Sequence, residues 1–206
     1  DVSLVPGNHD AYTRGSHRAR RFQCYFGEYI TSDLPGAASI PGLGRFPYVR
    51  LRGPAAIIGL TSAVPRPPLV ASGELGREQR MALHAVLAHE EVQKRTPVIV
   101  QHHPPHNPEK RLKAIMSGLV DATEERELLA DVGRGLLLHG LQQRRIRRDV
   151  SNVLTAVGST SASLVDEDEH RMGGFNLYEI DEGVKRMEAF RLDRGTGAFV
   201  STPIPV

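Results

Sequence analysis

The sequence predicts a mixed α/β fold, and three observations support this class. Short runs that are almost wholly apolar, such as residues 97–100 and 135–138, are typical of strands covered on both faces. Stretches with apolar residues at helical spacing alternate with these runs. Residues 175–193 instead alternate apolar and polar side chains around a turn, as an antiparallel hairpin does. The length and the absence of a linker-like segment predict a single domain over residues 1–206.

The elements can be predicted in chain order. Residues 2–5 form an apolar run that stops at a Pro-Gly pair, which predicts a buried strand followed by a turn. Residues 14–30 carry three large apolar side chains at helical spacing and are expected to form one helix. The remaining predictions are a loop at 35–47, strands at 48–51 and 55–60, a helix within 75–92, a strand at 97–100, a helix near 122–132, strands at 135–138 and 153–157, and a hairpin formed by 175–181 and 184–193.

Composition limits the class of partner. The 26 Lys and Arg residues nearly balance 24 Asp and Glu residues, which excludes a global field for binding polyanions. Arginines bunch at 17–21 and 144–148, and we interpret both bunches as solvated faces, with nucleic-acid binding as a weaker alternative. Cys24 is the only cysteine, so a reducing cytoplasm is the expected location. No apolar stretch reaches the ~18 residues of a membrane span, so no membrane partner is expected.

Three loops that follow predicted strands are rich in side chains that can bind metals. They read GNHD (7–10), QHHPPH (101–106) and HG (139–140). Open α/β sheets bind ligands at the carboxyl ends of their strands, where these loops fall. An Asn oxygen with imidazole nitrogens suits Mn, Fe or Zn better than Ca or Mg. The alternative is that each loop is an ordinary polar segment. For GNHD this would be a turn in which Asn8 adopts a positive φ.

The order of these loops resembles the calcineurin-like metallophosphoesterases, of the bacterial class that includes cyclic-nucleotide and glycerophosphodiester phosphodiesterases. The resemblance runs from about Val2 to about Asp193 as GNHD, a helix-bearing insert, strand-HHPP, strand-HG and strand-GS. It implies a four-layer α/β/β/α sandwich of two mixed sheets. It also implies two divalent metal ions (Mn, Fe or Zn) at one edge and hydrolysis of a small phosphoester substrate.

The resemblance assigns roles to individual residues. Asn8 and His102 would be ligands of one metal ion. His9 would face the substrate phosphate as an acid or phosphate-binding group, and Asp10 would orient its ring. His103 and His106 are assigned to the border of the substrate site. For His103, the alternative is a supporting position in the loop.

The sequence departs from the family pattern at two places. The family's Asp-x-His and Gly-Asp motifs, with the bridging carboxylate, lie upstream of GNHD. Because Asp1 stands directly before a strand-like run, we expect an N-terminally truncated chain that lacks those strands. The family's Gly-His-x-His, with one imidazole for each metal, here reads Gly140, Leu141, Gln142, Gln143. Leucine cannot coordinate a metal and a glutamine oxygen is a weak donor, while His139 is expected to hydrogen-bond near the loop.

Two functions remain open at this point. The first is a metal-dependent phosphoester hydrolase that is impaired in this form, because two neutral ligands are too few for a stable site. Weak or incomplete metal binding is the corresponding expectation. The second is a catalytically inactive relative that keeps the fold as a binding or scaffold protein. The sequence makes no prediction of the oligomeric state.

Overall fold

The computed structural model describes residues 1–34, 36, 44–151, 154–162 and 164–206. Within these residues the chain forms a six-stranded sheet, a three-stranded sheet and several helices, which confirms the α/β class. The strands of the larger sheet, in chain order, are β1 (Tyr48–Arg52), β2 (Ala55–Gly59), β3 (Thr96–Gln101), β4 (Gly135–His139), β5 (Ile146–Asp149) and β6 (Leu154–Gly158).

The larger sheet is mixed and has the spatial order β1-β2-β3-β4-β6-β5. Its four central strands run parallel, and β1 and β5 lie antiparallel at the two edges. The register pairs Gln101 with His139 and His139 with Gly158. The loops that follow these three residues therefore begin side by side at one edge of the sheet.

The smaller sheet is an antiparallel meander and includes the predicted hairpin. Its strands are β7 (Gly174–Asp181), β8 (Gly183–Leu192) and β9 (Phe199–Thr202). Gly183 closes the β7–β8 turn at a φ of 90°, a value that glycine adopts without strain. One face packs Tyr178 and Val184 against Val98 and Leu136 of the larger sheet. These contacts hold the two sheets face to face.

Helices cover the other face of the larger sheet. Leu83 and Leu129 pack against Ile58, Ile99 and Leu137 of the central strands. The described residues thus form three layers with an antiparallel second sheet, where four layers with a second mixed sheet were predicted. The helices are α1 (Asn8–Ala11), α2 (Arg14–Arg18), α3 (Arg21–Tyr25), a 3-10 helix (Gly27–Ile30), α4 (Arg77–Leu87), α5 (Glu90–Gln93), α6 (Arg111–Ser117) and α7 (Ala122–Leu129).

The predicted strand at residues 2–5 is wrong, because this segment has no strand partner in the described part of the chain. Side chains of the edge strand hold it instead of a backbone ladder. The Tyr48 hydroxyl donates to the Leu4 carbonyl at 2.9 Å, and Arg50 donates to the Val2 carbonyl. The segment is therefore extended and anchored beside β1, and it leads directly into α1.

The predicted helix at residues 14–30 is divided into three shorter helices. Arg20 has a φ of 48°, in the left-handed region, and this residue separates α2 from α3. Helical periodicity persists through the break, which is why sequence alone predicts one continuous element. The predicted loop 35–47 falls largely outside the described residues, as does Val153, the first residue of the predicted strand 153–157. The elements that the sequence analysis missed are α1, α6, β5 and β9.

Candidate functional site

The GNHD and HHPP loops meet at the carboxyl edge of the larger sheet. The Oδ1 atom of Asn8 lies 3.0 Å from Nε2 of His102. Two glycines leave room for this imidazole: a Cβ atom at Gly7 would lie 3.1 Å from its Cε1, and one at Gly140 would lie 3.3 Å from its Nδ1. The structure thus brings together the two residues that the sequence analysis assigned to one metal ion, with a glycine on each side of the ring.

The His102 ring is uncharged at neutral pH. Burial lowers its pKa to about 4, and the nearby imidazoles of His103, His9 and His139 act in the same direction. An amide oxygen only accepts hydrogen bonds, so His102 Nε2 is the protonated ring nitrogen and donates to Asn8 Oδ1. A neutral imidazole is the form that binds metals, and a metal ion at Nε2 would replace this proton.

Asn8 is held in place from its other side. Its Nδ2 atom donates to the Tyr12 hydroxyl at 3.0 Å, and the side chain is buried. Because the amide nitrogen is engaged one helical turn away, the oxygen faces His102. The short helix α1 therefore fixes which atom of Asn8 the site presents.

Asp10 does not have the contact that the sequence analysis predicted. Its Oδ2 atom accepts from the Gly7 backbone N–H at 2.9 Å and so caps α1, instead of bonding to the His9 ring. An exposed N–H three residues earlier is a close partner for a carboxylate at a helix start. The His9 ring is exposed and packs edge-on against Tyr12, with ring centroids 4.7 Å apart. His9 is thus open to an incoming anion.

His103 lies behind the site. It has no exposed surface, its Nε2 donates to the Ala71 carbonyl at 2.8 Å, and its Nδ1 accepts from the Ser62 hydroxyl at 2.8 Å. A Cβ atom at Gly73 would come within 2.3 Å of the ring, so the packing is tight. This position fits the supporting role in the loop and leaves no nitrogen for a substrate.

His106 and His139 are close enough to each other to interact electrostatically. Burial lowers the pKa of His106, and Arg126 and Arg148 lower it further; its Nε2 is buried and has no hydrogen-bond partner in the described part of the chain. The His139 Nδ1 lies 3.3 Å from the Gly140 carbonyl, in agreement with the expected hydrogen bond near the loop. Burial lowers the pKa of His139 to about 4.

The two positions where the family has histidines share an unusual backbone. Leu141 and Gln143 have φ values of 56° and 46°, in the left-handed region that costs a residue with a Cβ roughly 1–2 kcal/mol. The Gln142 N–H donates to the Gly140 carbonyl at 2.7 Å within the same turn. Strained turns of this kind cluster at functional sites. In this chain the side chains at the two left-handed positions are a leucine and a glutamine.

The donor set fits one part of the predicted metal site. In the described part of the chain, no three side chains of His, Cys, Asp or Glu are grouped to hold a metal ion. Asn8 and His102 supply two neutral donors, whereas stable sites use three or four protein ligands. These two residues fit as ligands of one ion, and they do not by themselves form a two-metal centre.

Sequence reasoning missed a buried carboxyl group behind the HHPP loop. The Gln101 Nε2 donates to the His103 carbonyl at 2.8 Å and to Glu125 Oε2 at 3.1 Å. Glu125 has no exposed surface, and burial raises its pKa to about 8. The signal was available, because Glu125 shares the buried side of α7 with Ala122 and Leu129 at helical spacing.

The arginine cluster at 144–148 is not a uniform solvated face. Arg145 is 1% exposed and donates to the Met172 carbonyl at 2.7 Å and to the Glu169 carbonyl. The interpretation as surface is therefore wrong for this residue, which anchors the 169–172 segment. Arg144 is exposed and pairs with Asp168 at 3.5 Å.

Two cavities lie at opposite edges of the larger sheet and could each be the candidate site. One of about 300 Å³ borders Asp10 and lies beside the GNHD loop. Another of about 590 Å³ lies at the opposite edge, where β3 begins at Thr96 and the β7–β8 turn at Gly183 closes. Ligands of parallel sheets bind at the carboxyl edge. We therefore place the candidate site at Asn8 and His102, beside the smaller cavity.

No protein-family model and no curated protein sequence matches this chain. Across the part of the chain that the structure describes, no helix is both long and apolar enough to cross a membrane. The resemblance to metallophosphoesterases rests on the sequence of the loops and on their placement.

Proposed function

We propose that this chain is a metal-dependent phosphoester hydrolase of the metallophosphoesterase type, with activity impaired in this form. The observation that carries the proposal is the approach of Asn8 Oδ1 to His102 Nε2, within 3.0 Å, at the carboxyl edge of a mixed sheet. The order of the layers, from the helices to the larger sheet and then the smaller sheet, supports the proposed four-layer α/β/β/α sandwich. The substrate is a small phosphoester.

Each part of the chain has a definite task in this proposal. Divalent metal ions, when bound, polarise the phosphoryl group and activate water. Asn8 and His102 contribute two donors to one ion. His9, exposed at the start of α1, donates to phosphate oxygens and passes a proton to the leaving oxygen. Asp10 fixes the start of α1 through Gly7 and thereby positions His9.

Hydrolysis of bis(p-nitrophenyl) phosphate with added Mn²⁺ tests the proposal in the full natural chain. We expect metal-dependent turnover that falls on the order of 100-fold or more in Asn8→Ala and in His102→Ala, because each removes a metal ligand. His84→Ala, on an exposed position of α4, is the matched control and keeps the parent rate. Absence of any metal-dependent turnover contradicts the proposal.

The second candidate function is a catalytically inactive binding or scaffold protein. The observation that favours it is the replacement of both expected imidazoles by Leu141 and Gln143 in a turn that keeps left-handed φ values. Histidine tolerates that region better than most residues, so Leu141→His combined with Gln143→His fits the backbone. Turnover that appears only in this double variant identifies the natural chain as non-catalytic, and turnover in the unsubstituted chain excludes the scaffold.

The surface chemistry favours a small substrate over a nucleic acid. Arg145, one of the four arginines of the 144–148 cluster, is buried, so this cluster offers fewer cations than the sequence indicates. The Cys24 thiol is free and exposed. A cytoplasmic location stays a prediction from the cysteine content.

A further inference from the structure

The cavity beside the GNHD loop is largely apolar. Its volume is about 300 Å³, at the lower end of the range for small-molecule sites. It is enclosed by the α2–α3 segment on one side and by the loop after β2 on the other, and Asp10 connects it to the candidate site. The apolar part of its lining is formed by Pro6, Phe22, Phe46, Ala63, Val64 and Leu75.

Two aromatic rings give the cavity a surface suited to a planar group. The ring centroids of Phe22 and Phe46 are 6.5 Å apart and the planes are tilted by 41°. Phe46 is 1% exposed and packs with Ile30 and Tyr48 in a buried cluster, so one wall is rigid. Aromatic rings at such angles stack with planar ligands through edge and face contacts.

The lining of the cavity includes a histidine and an arginine that are not paired with carboxylates in the described part of the chain. His17 and Arg21 line it, and neither forms an ion pair with a carboxylate in the described ranges. The two carboxylates at the cavity are already engaged, since Asp10 accepts from the Gly7 N–H and Glu74 pairs with Arg66 at 3.1 Å. An anion in the cavity therefore meets the Arg21 guanidinium, which no carboxylate pairs with in the described ranges.

The break between α2 and α3 creates this arrangement. Arg20 adopts a φ of 48°, and α3 starts at Arg21, so Arg21 and Phe22 both line the cavity although they are adjacent. A non-glycine residue in the left-handed region costs of order 1 kcal/mol or more, and such strain is concentrated at ligand sites. The strained residue thus borders the cavity that we assign.

We propose that this cavity binds a planar apolar group, aryl or heteroaromatic, of an anionic phosphoester whose phosphate lies between His9 and Arg21. The inference rests on the proposed function and names its substrate class. The apolar wall holds the ring, and the Arg21 guanidinium attracts the negative charge. Phosphoesters with a small alkyl group lack the group that fills the cavity.

The test compares two probes with the same phosphate, phenyl phosphate and methyl phosphate, by calorimetric titration into the 206-residue chain without added metal. We expect phenyl phosphate to bind about tenfold more tightly, as filling an apolar pocket of this kind does. Val64→Phe fills the cavity and removes the preference while methyl phosphate binding is unchanged. Val165→Phe, at an exposed position that does not line the cavity, is the matched control and keeps the preference.

A second variant covers the case in which Val64→Phe does not fold. Phe22→Leu removes one ring from a half-buried position and is expected to reduce the preference severalfold. Equal binding of the two probes by the unsubstituted chain, or no binding of phenyl phosphate, overturns the inference. Because the titration needs no hydrolysis, a chain that prefers phenyl phosphate but has no turnover contradicts only the proposed function, and turnover without this preference contradicts only the cavity assignment.

Discussion

Oδ1 of Asn8 lies 3.0 Å from Nε2 of His102, although the two residues are 94 positions apart in the chain. The contact joins the first helix to the loop after a central strand. It depends on the two glycines on either side of the imidazole, Gly7 and Gly140. This geometry leads to predictions on stability and on metal binding.

Gly7→Ala should destabilise the chain by about 1 kcal/mol, because the new Cβ would lie 3.1 Å from the His102 ring and force it to shift. Urea unfolding measures the stability, and the NMR shifts of the His102 ring report its displacement. Gly133→Ala is the matched control, since its Cβ would meet nothing within 4 Å, and we expect a change below about 0.5 kcal/mol. Equal effects of the two substitutions contradict this account of the ring.

Glu125→Gln should stabilise the chain increasingly as the pH rises from 4.5 to 8. The raised pKa means that the folded chain favours the neutral carboxyl group, so the contribution of Glu125 is complete below pH 4.5 and is lost towards pH 8. We expect a gain of about 2 kcal/mol at pH 8 from urea unfolding. Burial is the largest cause of the raised pKa. Among the charged neighbours, Asp121 raises the pKa further, whereas Arg126 and Arg80 lower it.

The control for this pH dependence is the adjacent exposed carboxylate, in Glu124→Gln. Glu124→Gln removes a carboxylate that is exposed in the folded chain, so a general effect of losing an acidic residue from α7 would appear in this variant as well. A pH-independent difference between Glu125→Gln and the parent chain rules out a neutral buried carboxyl group.

Leu141→Gly should stabilise the chain by about 1 kcal/mol, because glycine adopts a φ of 56° without the clash of a Cβ. The loss of the half-buried leucine side chain reduces this gain. Gln142→Gly, one residue further, lacks a positive φ and is expected to destabilise slightly. Thermal unfolding of the two variants in parallel gives the comparison, and a reversed order argues against strain in this turn.

Arg145→Met should destabilise the chain by about 2–3 kcal/mol, since the Met172 and Glu169 carbonyls lose their donor. Arg144→Met removes an exposed charge paired only at 3.5 Å, for which we expect less than about 0.5 kcal/mol. The midpoints of denaturant unfolding measure both stability changes, provided that the slope of each transition matches that of the parent chain. Similar effects of the two variants mean that Arg145 is as accessible as its neighbour.

The strands of the central sheet were predictable because their signal is local. The runs at 97–100 and 135–138 are apolar throughout, and both are strands in the structure. The polar edge strand β5 was missed because the sequence IRRD has no apolar pattern. The break at Arg20 was missed because a left-handed φ at an arginine leaves no compositional mark.

The sequence predicted which residues lie at the candidate site better than it predicted the contacts that these residues make. Asn8 and His102 were paired by motif, and the structure places them together. The contacts of Asp10 and His103 follow from partners that no motif contains, namely the Gly7 N–H and the Ala71 carbonyl. Such partners depend on the three-dimensional packing of loops, so sequence spacing alone does not identify them.

The most direct test of the central claim, that Asn8 and His102 are joint ligands of one metal ion, is a calorimetric titration of Mn²⁺. We expect weak binding by the unsubstituted 206-residue chain and binding at least about tenfold tighter after Leu141→His with Gln143→His, because two imidazoles are added. Adding His102→Ala to that double variant should abolish the gain, whereas adding His84→Ala should preserve it. Mn²⁺ binding that does not depend on His102 contradicts the claim.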